Sequence, residues 1–256
     1  MTQSSMTRRT LFALGAPAAL VAFAACSKSS SGTSNSTTSK SVSTPDNVVS
    51  FNWPEITETE LRDDTGYHLN KLVDGAPTVT LYTDYEVFEC IKAELAYEKA
   101  AKDLEGTMNV TVRHYPSPNG VYARDSALAV LAAEVQGKHQ AMARKLCETH
   151  EEWRIAANAE DLRVKFKGYA KEIGLDVDKF DKTMDDKSIA DLLYADAEHA
   201  RDLRVVYTPD FTVNDKVLEN IDFNKVLKNV ESSTPAEYLV KEFKKAAGLS
   251  WFVRFG

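Results

Sequence analysis

The sequence predicts an α/β domain carrying a helical insertion, and three observations predict it. Two β-branched runs, Pro77 to Tyr82 and Met108 to Tyr115, flank a helical pattern from Ile91 to Leu104, which is the order of a parallel strand–helix–strand crossover. Only helical patterns fill the stretch from about 119 to 204. Phe211-Thr212-Val213 and Lys216-Val217-Leu218 then enclose Asn214-Asp215, a hairpin turn signal.

The chain opens with an address. Arg8 and Arg9 precede an apolar run from Leu11 to Ala25 that is too short to span a bilayer and is broken by Gly15 and Pro17. Residues 1–25 therefore read as a signal peptide and stand outside the fold. Thr7-Arg8-Arg9-Thr10-Leu11-Phe12 resembles a twin-arginine signal, with ordinary secretion as the other route. Phe23-Ala24-Ala25-Cys26 resembles a bacterial lipobox, which implies a lipid on Cys26 and a mature protein anchored on the extracytoplasmic face of the cell membrane. Residues 26–46 are mostly Ser, Thr, Asn, Gly and Lys, too poor in apolar surface to offset their ordering entropy, and read as a disordered lipid tether.

Residues 47–76, with a short apolar segment cut by Pro54 and an acidic stretch of weak periodicity, read as an extension laid on the domain. The domain proper is assigned to 77–231. Its first helix is ended by Gly106 and its second strand by Pro116 and Pro118. Helices follow over Gly120 to Gln136, His139 to Trp153, Asp161 to Ile173, Asp178 to Met184 and Ser188 to Leu203. Asp222 caps a helix ending near Val230, and Thr234-Pro235 starts the last helix in 232–256. The stretch Ser250 to Gly256, with Trp251, Phe252 and Phe255, reads as apolar surface for docking on the domain or on a partner.

Charge excludes one class of partner. With 31 basic and 38 acidic residues the net charge is −7, and no Lys/Arg stripe interleaved with aromatics appears, so nucleic acid is not expected. The five histidines are scattered, and the 11 glycines form no phosphate-cradling loop. Cys147 and His150 share a helical i, i+3 face without further ligands, so no metal or cofactor is expected. Glu86 and Glu89 read as charges favouring a helix start. Of the three cysteines, Cys90 and Cys147 remain as thiols if Cys26 carries lipid. For Cys90 the readings are a buried packing thiol, a monothiol acceptor, or a bond with Cys147 or another chain.

Three pieces carry a family resemblance. They are Asp84-Tyr85 entering a four-residue site that ends in Cys90, Ala170 to Asp176 with Lys179-Phe180, and Val205-Val206-Tyr207-Thr208-Pro209-Asp210-Phe211. In that order, from Pro77 to Val230, the chain resembles the thioredoxin fold of DsbA-like thiol oxidoreductases. The resemblance implies a C-x-x-C site whose first cysteine, at the exposed helix start, attacks substrate and whose second resolves the mixed disulfide. Cys90 falls on the second position and Val87 on the first. Thr208-Pro209 falls on the family's cis-proline loop, which pairs with extended substrate. Tyr207 and Asp210 depart from the family pattern and would crowd or charge the groove.

The expectation is therefore a membrane-anchored thioredoxin-like lipoprotein without a catalytic dithiol. It would bind an extended polypeptide or an envelope protein through Val87, Phe88, Thr208 and Pro209. The alternative is a thiol-disulfide oxidoreductase or isomerase working through Cys90, with or without Cys147.

Overall fold

Six strands form one sheet in the order β1-β2-β4-β3-β5-β6: Arg62–Asp63, Gly66–His68, Asn109–His114, Thr78–Thr83, Asp210–Val213 and Lys216–Val217. The computed structural model describes residues 51–55 and 62–249. The expected signal peptide, the lipid on Cys26, the tether 26–46 and the stretch Ser250 to Gly256 lie outside the described residues.

The crossover is as expected from pattern. Helix α1 (Phe88–Asp103) connects β3 to β4, and these strands pair in parallel, Val79 opposite Val110 and Leu81 opposite Val112. β5 adds antiparallel to β3, and Asn214 and Asp215 both take positive φ (47° and 59°) to turn the chain into β6. Two positive-φ residues are what a two-residue primed turn demands, and Asn and Asp tolerate them.

Two strands were not anticipated, because β1 and β2 are too short for period-two alternation to register. They lie in what the sequence suggested was an extension, and they join the sheet on the far side of β4. Gly66 takes φ +125°, and an added Cβ there would stand 2.7 Å from the Val112 carbonyl. Residues 51–55 do lie on the domain: Trp53 Nε1 donates to Glu148 at 3.0 Å, and Arg144 donates to the Pro54 carbonyl at 2.8 Å.

The insertion consists of α2 (Ala123–Glu134), α3 (His139–Glu148), α4 (His150–Trp153), α5 (Ala159–Glu172), α6 (Val177–Met184) and α7 (Lys187–Asp202). One expected helix, His139 to Trp153, is two, separated at Thr149, whose hydroxyl donates back to the Lys145 carbonyl at 2.7 Å. Helix α8 (Phe223–Leu227), capped by Asp222, ends before Val230, and α9 (Thr234–Ala246) begins at the Thr-Pro pair.

Strand alternation divides the sheet into unlike faces. Val79, Leu81, Val110, Val112, Phe211 and Val213 pack with Tyr97 of α1 and Phe243 of α9 in one core. The Tyr97 hydroxyl shares its proton between the carbonyls of Val79 and Thr111, each at 2.8 Å, and so fixes α1 over the β3–β4 seam. On the other face stand Thr80, Tyr82, Thr111, Arg113, Asp210 and Thr212, all buried. The insertion has a separate core around Leu128, Leu131, Met142, Leu146, Trp153, Phe166 and Phe180. Among the described residues no helix is long and apolar enough to cross a membrane.

Candidate functional site

At the carboxyl end of β3 the chain turns through Asp84 to Val87 into α1. The Val87 N–H donates to the Asp84 carbonyl and the Cys90 N–H to the Val87 carbonyl, both at 3.0 Å. Val87 is thus the residue at the helix cap, in an extended conformation and half-buried. Cys90 lies within the first helical turn, at 1 % exposure.

The turn is fixed from three directions. The buried Asp84 carboxylate accepts from Glu86 N at 2.9 Å and from Ser117 N at 2.8 Å, joining the turn to the loop after β4. Glu86 does not serve its own helix, as the sequence suggested. It reaches across to accept from Val121 N (3.2 Å) and Tyr122 N (3.1 Å), where α2 begins. His150 Nε2 donates to the Glu86 carbonyl at 3.1 Å. Glu89 stays exposed in the first turn of α1, a place favourable for negative charge.

Cys90 has the surroundings of an inert thiol. Its Sγ receives the Asp84 N–H at 3.5 Å, and burial pushes the thiol well above its usual range despite that bond and one to Thr208. Cys147, in the insertion core, is raised by burial and then by the nearby Glu94 and Glu98 carboxylates. Both are free thiols. A nucleophile needs thiolate at a reachable position; both cysteines are buried, and burial disfavours their thiolate forms.

Beside the turn is a groove of about 250 Å³ lined by Val87, Tyr115, Pro116, Ser117, Pro118, Val206, Tyr207 and Thr208. None of these side chains is charged. The Thr208-Pro209 bond is cis. Of the residues expected to bind, Val87 and Thr208 line the groove, and Pro209 is buried. Phe88 is 36 % exposed outside the lining, with Lys92 Nζ 4.8 Å from its ring centroid. Val206 (80 %) and Tyr207 (63 %) stand open to solvent. Tyr207 lines the groove with its side chain largely exposed. Asp210 is buried at 5 % and is not among the groove's lining residues, and burial raises its carboxyl to about 6 although it accepts from its neighbour Phe211 N.

The wall from Tyr115 to Pro118 was not singled out for binding, because its prolines read only as strand stops. A signal existed in Gly120: an added Cβ would lie 2.4 Å from Glu86 Oε2, so the glycine marks where the turn's carboxylate arrives. Among the described residues no group of His, Cys, Asp or Glu could hold a metal ion.

A family model described as Thioredoxin matches residues 74–232. No curated protein matches the chain. Solved structures with the same fold include an oxidoreductase DsbA from Xylella fastidiosa (20% identity, TM-score 0.54, covering 68% of this chain and 89% of that one). A DsbA of Proteus mirabilis with a non-covalently bound peptide is similar (15% identity, TM-score 0.54, 72% and 96%). So is a putative protein-disulfide isomerase from Pseudomonas syringae (13% identity, TM-score 0.53, 66% and 94%).

Proposed function

The chain belongs to the thioredoxin family, with the DsbA-like form of the fold, and from that premise we propose that it binds extended polypeptide in the groove beside Val87 without thiol chemistry. The observation that carries this reading is the helix cap itself. Val87 occupies the place where thiol exchange would begin, and the sulfur three residues on is buried. An uncharged groove with exposed Val206 and Tyr207 at its wall suits apolar side chains on a strand-like ligand, paired through main-chain hydrogen bonds. A related DsbA has been solved with a peptide bound non-covalently, which supports such an occupant.

The partner is an exported or envelope polypeptide, and the protein is held on the extracytoplasmic face by lipid on Cys26. The sequence around Arg8, Arg9 and Ala24-Ala25-Cys26 supports that placement. Detergent-phase partition of the mature protein with a modified Cys26 peptide tests it; partition into water with Cys26 unmodified removes it.

Binding of an unstructured apolar peptide, followed by fluorescence, tests the groove. Tyr207→Glu abolishes capture and Cys90→Ala leaves it unchanged if the reading holds. Rapid, selective alkylation of Cys90 in the folded protein supports the alternative, oxidoreductase chemistry through that thiol.

A further inference from the structure

Helix α7 covers the sheet's polar face, and it does so with few apolar contacts. At helical spacing it presents Asp196, His199, Ala200 and Leu203 to the strands. Among the described residues the buried apolar cluster at this seam is Tyr82, Ala200 and Val205, with Tyr115, Leu203 and Val217 partly buried around them. Toward the sheet the remaining contacts are ionic or hydrogen-bonded, while Ile189 and Leu193 of the same helix are buried in the insertion core.

Asp196 Oδ1 receives Arg113 at 2.8 Å and Arg62 at 3.2 Å, and its Oδ2 accepts from the His114 N–H at 3.1 Å and lies 3.3 Å from His114 Nδ1. His199 Nδ1 lies 2.9 Å from the Tyr82 hydroxyl, and its Nε2 is 3.6 Å from Asp215. Behind them Glu134 of α2 binds Arg62 at 2.6 Å and His139 of α3 at 2.7 Å. His139 is 1 % exposed, stacks on Tyr67 at 3.7 Å, and its ring is 5.4 Å from that of His114. Its Nε2 is buried and has no hydrogen-bond partner. That arrangement favours a neutral imidazole: a proton on Nε2 would create a buried donor with no acceptor among the described residues, beside the His114 ring.

We infer that α7 is an acid-releasable strap: protonation of His139 and His199, followed only at lower pH by Asp196, loosens its hold on the sheet while α1 and α9 stay packed on the opposite face. The direction follows from the seam's charges. Burial, opposed by Glu134, pushes His139 down to about 4, and burial with Arg113 nearby lowers His199. Burial acts against the charge on Asp196, but its His114 hydrogen bond and Arg62 hold the carboxyl well below the usual range. In every case the folded state binds fewer protons than the unfolded chain. Stability is complete above the free histidine value of about 6.5 and is lost as pH falls through the histidine window, and then the carboxylate one. On the opposite face the packing is apolar and has no such dependence.

Amide hydrogen exchange across the pH range, corrected for intrinsic rates, tests this with the full chain. Between about pH 7 and pH 4.5, exchange in α7 rises roughly tenfold or more while α9 is unchanged. The double variant His139→Gln, His199→Gln flattens the α7 response. Loss of protection in α7 and α9 together, or an unaltered response in the double variant, overturns the inference. If that variant does not fold, the imidazole resonances of the wild type decide: titration of His139 at the free histidine value with α7 still protected overturns it, and titration coincident with α7 opening supports it.

Discussion

The Glu86 carboxylate accepts the backbone N–H of Tyr122 at 3.1 Å, tying the turn before α1 to the start of α2. Replacing Glu86 by Ala leaves those amides without a protein partner. The expected loss is about 1–2 kcal/mol in denaturant unfolding, comparable to removal of a helix cap. Because a Cβ at Gly120 would meet both Glu86 Oε2 (2.4 Å) and the Ala123 Cβ (2.6 Å), Gly120→Ala should cost less in the Glu86→Ala background than in the wild type. Additive effects in a double-mutant cycle would contradict the contact.

Glu94, buried at 1 % on α1 with Oε2 lacking a partner, is pushed by burial and then by Glu98 up to about 8. A carboxyl raised in the folded state contributes stability that is present below its unfolded value of about 4.3 and is lost as pH rises through the folded one. Glu94→Gln should therefore stabilise the protein at pH 8, on the order of 1–3 kcal/mol, with the difference vanishing near pH 4. Equal shifts of the unfolding midpoint at both pH values would remove this account.

Native-state alkylation should be slow at both Cys90 and Cys147, and should speed up only with denaturant, since both are buried and held as thiols. Cys90→Ala should cost roughly 1–2 kcal/mol, as a small buried side chain does. Mass spectrometry of labelled peptides reads the order of modification, and fast labelling of Cys90 at neutral pH is the contrary result.

Trp53 stacks on Phe51 at 5.8 Å and lies under Arg144 at 5.2 Å. Arg144 also binds the buried Glu98 at 2.9 Å through Nε. Trp53→Ala should release residues 51–55 to proteolysis while the unfolding midpoint of the domain moves little. Arg144→Ala should lower that midpoint strongly, by about 3–5 kcal/mol, because it takes the guanidinium away from a buried carboxylate. Limited digestion with thermal melts separates the two effects.

Much of the fold was legible because its signals are local. The β-branched runs at Val79 and Val110, Gly106 after α1, Asn214-Asp215 and Thr234-Pro235 each act within a few residues. β1 and β2 were not legible, since Arg62–Asp63 and Gly66–His68 become strands only by pairing with partners far along the chain, as in Tyr67 opposite Val112. At the site, Val87 and Cys90 could be placed from spacing on the turn. The groove wall at Tyr115 and the reach of Glu86 could not, because both depend on the loop after β4 folding back onto α1. The polar sheet face could not be assigned an occupant, because α7 begins more than a hundred residues after β3 and reaches the sheet only through the folded insertion.

A valine at the cap of α1 also changes how occupancy of the groove is governed. If the groove holds polypeptide as proposed, no covalent bond commits that ligand, so residence time would be set by dissociation alone and the bound fraction would follow ligand concentration through a simple equilibrium. Such a groove is blind to the redox poise around it. It would keep hold of a partner equally under reducing and oxidising conditions, in which a cysteine at the same cap would change the outcome of every encounter.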